Sequence, residues 1–431
     1  MPKPIVCLSA ALRQFCDAFR PCFSKRQWKY FVTVLLGMVE CKERRTLSGL
    51  LACVGEKVSL CGLSRFFNRW RWHPAEVARV WLCRFREQMS PQVEAEHRRQ
   101  RDLREKRRGR PNPTVVTGYV IGDDSVHAKL RGRKMQGLGR HYSTTEQRVV
   151  TGHCLLTGLY VLLGRRCPLQ PHLYRQKSVC EQEGIPFQSK IDMMVQEIEQ
   201  FEPVEGTHTH LLTDSWYHCK EVRKAAQKRG WDVSGGLKSN RRMRLVAEDG
   251  SRSWVTLAEY AAGLGPSDWQ EAIWPSQEGG QKVYAHAVRT FVRKLGPVAL
   301  LITCHDVDAP AQSIRYWGST LLDADAQTLI NVLAVRWSVE VFFEDAKDLL
   351  GSDHYQLMKA EAVLRFWTLI ACLSCFLDEH RAAQEGMATW GDARRAIQGE
   401  HQRNLLGWLE EQFKAGLTAQ QVGAQLALPS C

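Results

Sequence analysis

The stretch VRWSVEVFFEDAKDLLG, residues 335–351, decides how the rest of the chain is read. Arg336, Glu340 and Lys347 are separated by four and seven residues. At about 100° per residue those offsets bring a base, an acid and a base within roughly 40° of one another on one helix. Val335, Val339, Phe342, Ala346 and Leu350 form an apolar stripe beside them, so the charged row borders the buried face. A single helix is expected over Asp325–Leu350. Taken alone, Arg336 and Glu340 are an i,i+4 surface pair.

Two other segments end in acids. VVTGYVIGDD, residues 115–124, reads as a strand Val115–Gly122 ending in Asp123 and Asp124; Thr209–Thr213 reads as a strand ending in Asp214. A carboxylate at a strand's C-terminal end projects into the cleft at the sheet edge. Taken singly, a strand-end aspartate more often caps the turn or helix that follows, and Asp214 precedes a helical pattern, Trp216–Arg229. Arg148–Leu156 and Leu159–Arg165 read as two strands joined at Gly158, Ser189–Phe201 as an amphipathic helix and Asp232–Leu237 as a further strand. That order makes a mixed sheet with helices on its faces, an α/β fold. Between Asn240 and Asp323 the texture is β-rich, with strands expected at Trp254–Tyr260, Gln281–Arg289 and Val298–Asp306. Ala360–Ala383 is a long apolar helix, and the tail from Trp390 is helical.

Residues 1–95 read as all-helical, with Trp28–Val39 following a Ser24 cap and shorter helices at Thr46–Cys53, Ser64–Trp72 and Pro74–Met89, parted in places by Gly55 and Gly62. Lys42–Trp72 has helix–turn–helix proportions. Its last helix, SRFFNRWRW, sets Arg65, Arg69 and Arg71 among four aromatics: a helix for a DNA groove, or core rings with arginines at their rim. His97–Arg110, HRRQRDLREKRRGR, runs into Pro111-Asn112-Pro113 and reads as an exposed basic linker. The net charge of +13 favours a polyanionic partner. Fifteen scattered cysteines, with Cys372 and Cys375 the only close pair, indicate free thiols and no zinc site. No run approaches the roughly 18 uncharged apolar residues of a membrane span, and Met1–Leu12 has no signal-peptide pattern, so a cytoplasmic, unprocessed protein is expected. The expected segments are 1–95 (helical, DNA-binding), 96–113 (linker), 114–240 (core, first part), 241–323 (β-rich insertion), 324–385 (core, second part) and 386–431 (helical tail).

Two aspartates and a glutamate, with bases on the glutamate's own helix, suit phosphoryl transfer by a pair of divalent cations. Hard oxygen donors favour Mg²⁺ or Mn²⁺, two ions per site. These residues resemble the DDE transposases of bacterial insertion sequences, which share a ribonuclease H-like core. Arg336, Glu340 and Lys347 fit the Tyr-x2-Arg-x3-Glu-x6-Lys signature of one branch, and residues 240–323 fit its β-rich insertion. The tyrosine position is Leu333, a departure that puts the branch's tyrosine contact to the transposon end in question. The resemblance covers roughly Val115 to Tyr355.

It implies that Asp124, Asp214 and Glu340 bind the metals and that Arg336 and Lys347 hold phosphates. Asp124 is preferred because Ser125 follows it, as a small hydroxyl residue commonly follows the family's aspartate; Asp123 is the reserve. Glu344 lies one turn beyond Glu340 but breaks the spacing. The resemblance further implies a homodimer on double-stranded DNA, acting at the nucleoid on terminal inverted repeats and joining 3′ ends to target DNA. One of Trp254, Trp269, Trp274 and Trp317 would steady a flipped base. A nuclease that cuts without joining and a catalytically silent DNA-binding regulator are the alternatives; the intact carboxylate set argues against the second.

Overall fold

The computed structural model describes residues 8–54, 58–106, 115–132, 134–144, 146–246, 249–276 and 279–426. The chain opens with five helices: α1 (Ala10–Asp17), α2 (Lys25–Glu40), α3 (Leu47–Ala52), α4 (Leu60–Asn68) and α5 (Pro74–Lys106). α2 starts in a capping box in which the Ser24 hydroxyl takes the Gln27 N–H and the Gln27 side chain takes the Ser24 N–H. Phe66, Phe67 and Trp72 are buried, while Arg65, Arg69 and Arg71 are exposed. α4 ends at Asn68, short of the expected Trp72, so Arg69 and Arg71 sit in the loop beyond it. The expected linker is corrected too: α5 continues to Lys106, so the first part of the basic run is helix. Pro111-Asn112-Pro113 and Gly55 lie outside the described residues.

Next come β1 (Thr117–Ala128), β2 (Gly139–Ser143), β3 (Arg148–Leu162), β4 (Arg165–Pro168), β5 (His172–Tyr174), α6 (Lys177–Glu183), α7 (Lys190–Gln200), β6 (His208–Thr213), α8 (Lys220–Lys228) and β7 (Asp232–Leu237). β1 is central, antiparallel to β3 and parallel to β6, which is parallel to β7. Three expectations need correction. β1 does not stop at the aspartates but runs on to Ala128, because β3 keeps pairing with it after β6 has ended. The two strands expected around Gly158 are one 15-residue strand, β3. Glycine is needed there for close approach, since a Cβ would lie 2.7 Å from Leu169 Cδ1 and 2.8 Å from the Ile121 carbonyl. The helix expected from Trp216 begins only at Lys220.

The insertion comprises β8 (Arg242–Val246), β9 (Arg252–Thr256), α9 (Leu257–Ala262), β10 (Gln270–Trp274), β11 (Gln281–Val292), β12 (Gly296–Cys304) and β13 (Arg315–Ser319). The strand expected over Trp254–Tyr260 is thus the end of β9 followed by α9, which the Thr256 hydroxyl caps. β13 pairs with β7, so the insertion extends the same sheet, in the order β2-β3-β1-β6-β7-β13-β12-β11-β8-β9. This is the expected ribonuclease H-like mixed sheet flanked by helices, with a β-rich insertion and N-terminal helices.

α10 (Ala326–Ala334), α11 (Trp337–Asp348), α12 (Ala360–Ala382), α13 (Trp390–Lys414) and α14 (Ala419–Gln425) complete the chain. The single helix expected over 325–350 is two, broken at Val335-Arg336; Arg336 keeps helical angles at the N-cap of α11, so its spacing to Glu340 survives. α12 is long and apolar enough to cross a membrane by length and composition, but 89% of its most apolar window is buried inside the protein. Its role is structural: one hydrophobic cluster runs from Phe15, Phe31 and Phe66 through Leu369 and Leu373 to Ile121 and Leu159. Buried Arg365 on α12 donates to the Phe67 and Trp72 carbonyls at 2.8 and 2.9 Å. The helical N-terminus and the sheet therefore share a core. All cysteines of the described residues are free thiols.

Candidate active site

β1 and β6 are parallel, with Gly122 opposite Thr213, so the next residues, Asp123 and Asp214, come side by side where β6 ends. Side chains alternate across a strand, and Asp123 and Asp124 must face opposite sides of the sheet. Asp124 faces α7. It accepts Lys190 Nζ at 2.7 Å, the Tyr217 hydroxyl at 2.6 Å and the Cys154 thiol at 3.2 Å. Asp123 faces α11: Arg336 Nη1 lies 3.6 Å from its Oδ2, and the same guanidinium pairs with Glu340 Oε1. Asp214 closes the turn after β6, its Oδ1 accepting the N–H groups of Trp216 and Tyr217, both at 2.9 Å. Tyr217 therefore ties Asp124 on one face to the Asp214 turn on the other.

Electrostatics separate the two neighbours. Burial, then the nearby Asp214 carboxylate, push the Asp123 pKa from its ordinary 3.8 up to about 7, with Arg336 pulling the other way. Burial also raises Asp214, against the two N–H bonds it accepts. A carboxyl whose folded pKa lies above its unfolded value holds its proton longer in the native state. Without divalent metal, stability should fall as pH rises from about 4 to about 7. Asp123→Asn should flatten that part of the profile, gaining on the order of 2–4 kcal/mol over wild type at pH 8. Urea unfolding across this window checks it; parallel pH profiles for the two proteins would refute the buried charge.

The surroundings are cationic and aromatic. Lys347, in the last turn of α11, has no carboxylate partner among the described residues. Trp216, two residues after Asp214, and Trp337, next to Arg336, are each 59% exposed, and Lys238 Nζ sits 5.3 Å over the Trp216 ring. A cavity of about 690 Å³ opens beside them, lined among others by Asp214, Ser215, Leu237, Tyr316, Trp317 and Arg336. Of the four insertion tryptophans, Trp317 lines this cavity and pairs with Trp274 at 5.6 Å; Trp269 is buried and Trp254 lies edge-on to Phe291. Leu333 is buried among Leu329, Ile330 and Leu301, so the departed tyrosine position points into apolar core.

Among the described residues no three His, Cys, Asp or Glu side chains converge on one point as they stand, because Glu340 is turned to Arg336. The donors themselves suit a hard cation: three carboxylates on neighbouring elements, one with its negative charge poorly compensated. Sequence reasoning missed Tyr217, Trp216 and Trp337, whose signal was a position within three residues of Asp214 or next to Arg336. Lys190 left no such signal, since only the packing of α7 on β1 brings it to Asp124.

Paired aspartates on adjacent parallel strands, with a glutamate-bearing helix laid on the same sheet, are the frame of a phosphoryl-transfer enzyme of ribonuclease H type. Residues 18–253 match the sequence profile described as DDE superfamily endonuclease, and residues 187–376 match that of the transposase DDE domain. The first match spans more than half of the 431 residues, and the chain belongs to the DDE superfamily as a DDE transposase. No curated protein is similar enough to count as a relative.

Proposed function

We propose that this transposase binds the terminal inverted repeats of its element, cleaves there and joins the 3′ ends to target DNA, acting in the bacterial cytoplasm as a homodimer on DNA. Asp123, Asp214 and Glu340 are its metal-binding carboxylates. The observation that carries this is the placement of Asp123 beside Asp214 on parallel strands, on the face that Glu340 and Arg336 occupy. Asp124, the residue preferred from sequence, is instead held by Lys190 and Tyr217 on the opposite face.

Two Mg²⁺ or Mn²⁺ ions, when bound, supply an activated hydroxyl and stabilise the leaving oxygen. The protein's own part is charge placement. Arg336 provides the counter-charge to both Asp123 and Glu340; were a metal to take over that charge, Arg336 would be free to hold a phosphate, as Lys347 would from the far end of α11. Trp216, Trp337 and Trp317 offer ring faces for unstacked bases near the cut. Arg65, Arg69 and Arg71 bring exposed charge from the helical region to the DNA backbone.

A strand-transfer assay with pre-cut ends tests this reading. Joined product in Mg²⁺ is the expected result; cutting of uncleaved ends with no joining of pre-cut ones would make the protein a nuclease on the same fold.

A further inference from the structure

Beyond the carboxylates, a second concavity of about 750 Å³ lies past the far end of β1. Its lining includes Arg44 from the α2–α3 loop, Lys129, Arg131 and Lys134 from the segment leaving β1, and Asp353 and His354 from the α11–α12 connection. Asp353 is the sole acid of that lining among the described residues. Arg44, Arg131 and Lys134 are exposed, and none has an ion-pair partner among the described residues.

The floor is built, not incidental. Lys129 Nζ donates to the Tyr355 carbonyl at 3.0 Å and to that of Asp353, and lies 3.6 Å over the Tyr355 ring. The Tyr355 hydroxyl is fixed 2.8 Å from His153 Nδ1. Buried Arg45 donates through its guanidinium to the Leu349 carbonyl at the end of α11, and its backbone N–H is 3.1 Å from His354 Nδ1. The helical region, β1 and α11 therefore hold the arginines and lysines in fixed relation to one another.

The pocket is also in line with the active site. Asp123, Ser125, His127 and Lys129 follow one another on one face by strand alternation. α11 lies along that face: Arg336 stands at Asp123, and further on burial, then Lys347 and Lys129, push the His127 pKa down. From Asp123 to Lys129 the strand advances about 20 Å at roughly 3.3 Å per residue. That is about six base pairs of duplex at 3.4 Å per step.

We propose that this pocket is a second phosphate-binding site, which grips the DNA backbone about six base pairs from the cleaved bond without reading bases. The inference rests on the transposase reading. A row of cations running from Arg336 through Lys347 to the pocket fits a continuous phosphate backbone better than one small anion.

The test compares full-length wild type with Arg44→Ala/Arg131→Ala/Lys134→Ala and with a charge-matched control, Lys220→Ala/Lys224→Ala/Lys228→Ala, on the exposed side of α8. Affinity is measured over a salt series for a duplex carrying the element end and for an unrelated duplex. The pocket variant should weaken both by a similar factor and flatten the log K against log salt slope by roughly two to three. Ethylation interference about six base pairs from the cut should vanish in it and persist in the control. Slopes and interference equal to wild type would overturn the pocket, as would loss of inorganic phosphate binding with no change toward DNA. Wild type that binds neither duplex would instead overturn the functional reading.

Discussion

Asp123→Asn, Asp214→Asn and Glu340→Gln are each expected to slow metal-dependent DNA cleavage on the order of 10³-fold or more while leaving DNA binding in place. Each change removes a formal charge from the proposed metal-binding set and keeps the side chain's size. Asp124→Asn is the informative contrast. Its carboxylate serves Lys190 and Tyr217, and an asparagine oxygen can still accept the Tyr217 hydroxyl, so a loss of about tenfold or less is expected. Single-turnover cleavage of an end-bearing duplex measures all four. Inactive Asp124→Asn beside active Asp123→Asn would reverse the assignment and restore the preference drawn from sequence.

The second large effect concerns stability. Asp378 on α12 is fully buried. Its Oδ2 accepts Arg165 Nε at 2.6 Å and the Arg166 N–H at 3.1 Å; its Oδ1 accepts Arg381 Nη2 at 3.1 Å and Trp390 Nε1 at 3.2 Å. Asp378→Ala leaves the Arg165 guanidinium, only 9% exposed, without a counter-charge, and should cost about 3–5 kcal/mol. The damage reaches the site, because Trp390 packs on Phe342 of α11 at 6.1 Å and carries Arg166 over its ring at 4.3 Å. Urea unfolding is the measurement. A loss under about 1 kcal/mol would show that the charge is solvated after all.

Much of the candidate site was legible because its signals are local. The 3.6-residue period around Glu340 places Arg336 beside it, and the structure keeps that pair although the helix is broken just before it. The amphipathic pattern over Ser189–Phe201 likewise found α7, within a residue at each end. The errors came where two elements meet. β1 and β3 were cut short because glycines and aspartates read as punctuation, whereas cross-strand pairing carries both strands through them. The basic run from His97 read as linker because its charge runs into Pro111-Asn112-Pro113, yet as far as Lys106 it continues a helix already anchored by Trp81, Phe85 and Met89.

By itself the sequence determined the class: a mixed sheet flanked by helices, with an insertion before a charged helix and a basic chain, alongside a short list of candidate carboxylates. The helix around Glu340 carried most of that, since spacing along one helix follows from covalent geometry alone. Tertiary structure decided which of two adjacent aspartates shares that helix's side of the sheet. Both faces of β1 are covered, one by α7 and the other by α11, so its apolar residues do not alternate and nothing local marks one parity as the cleft. Only the parallel register with β6 and the lie of α11 set Asp123 toward Glu340 and turn Asp124 to Lys190.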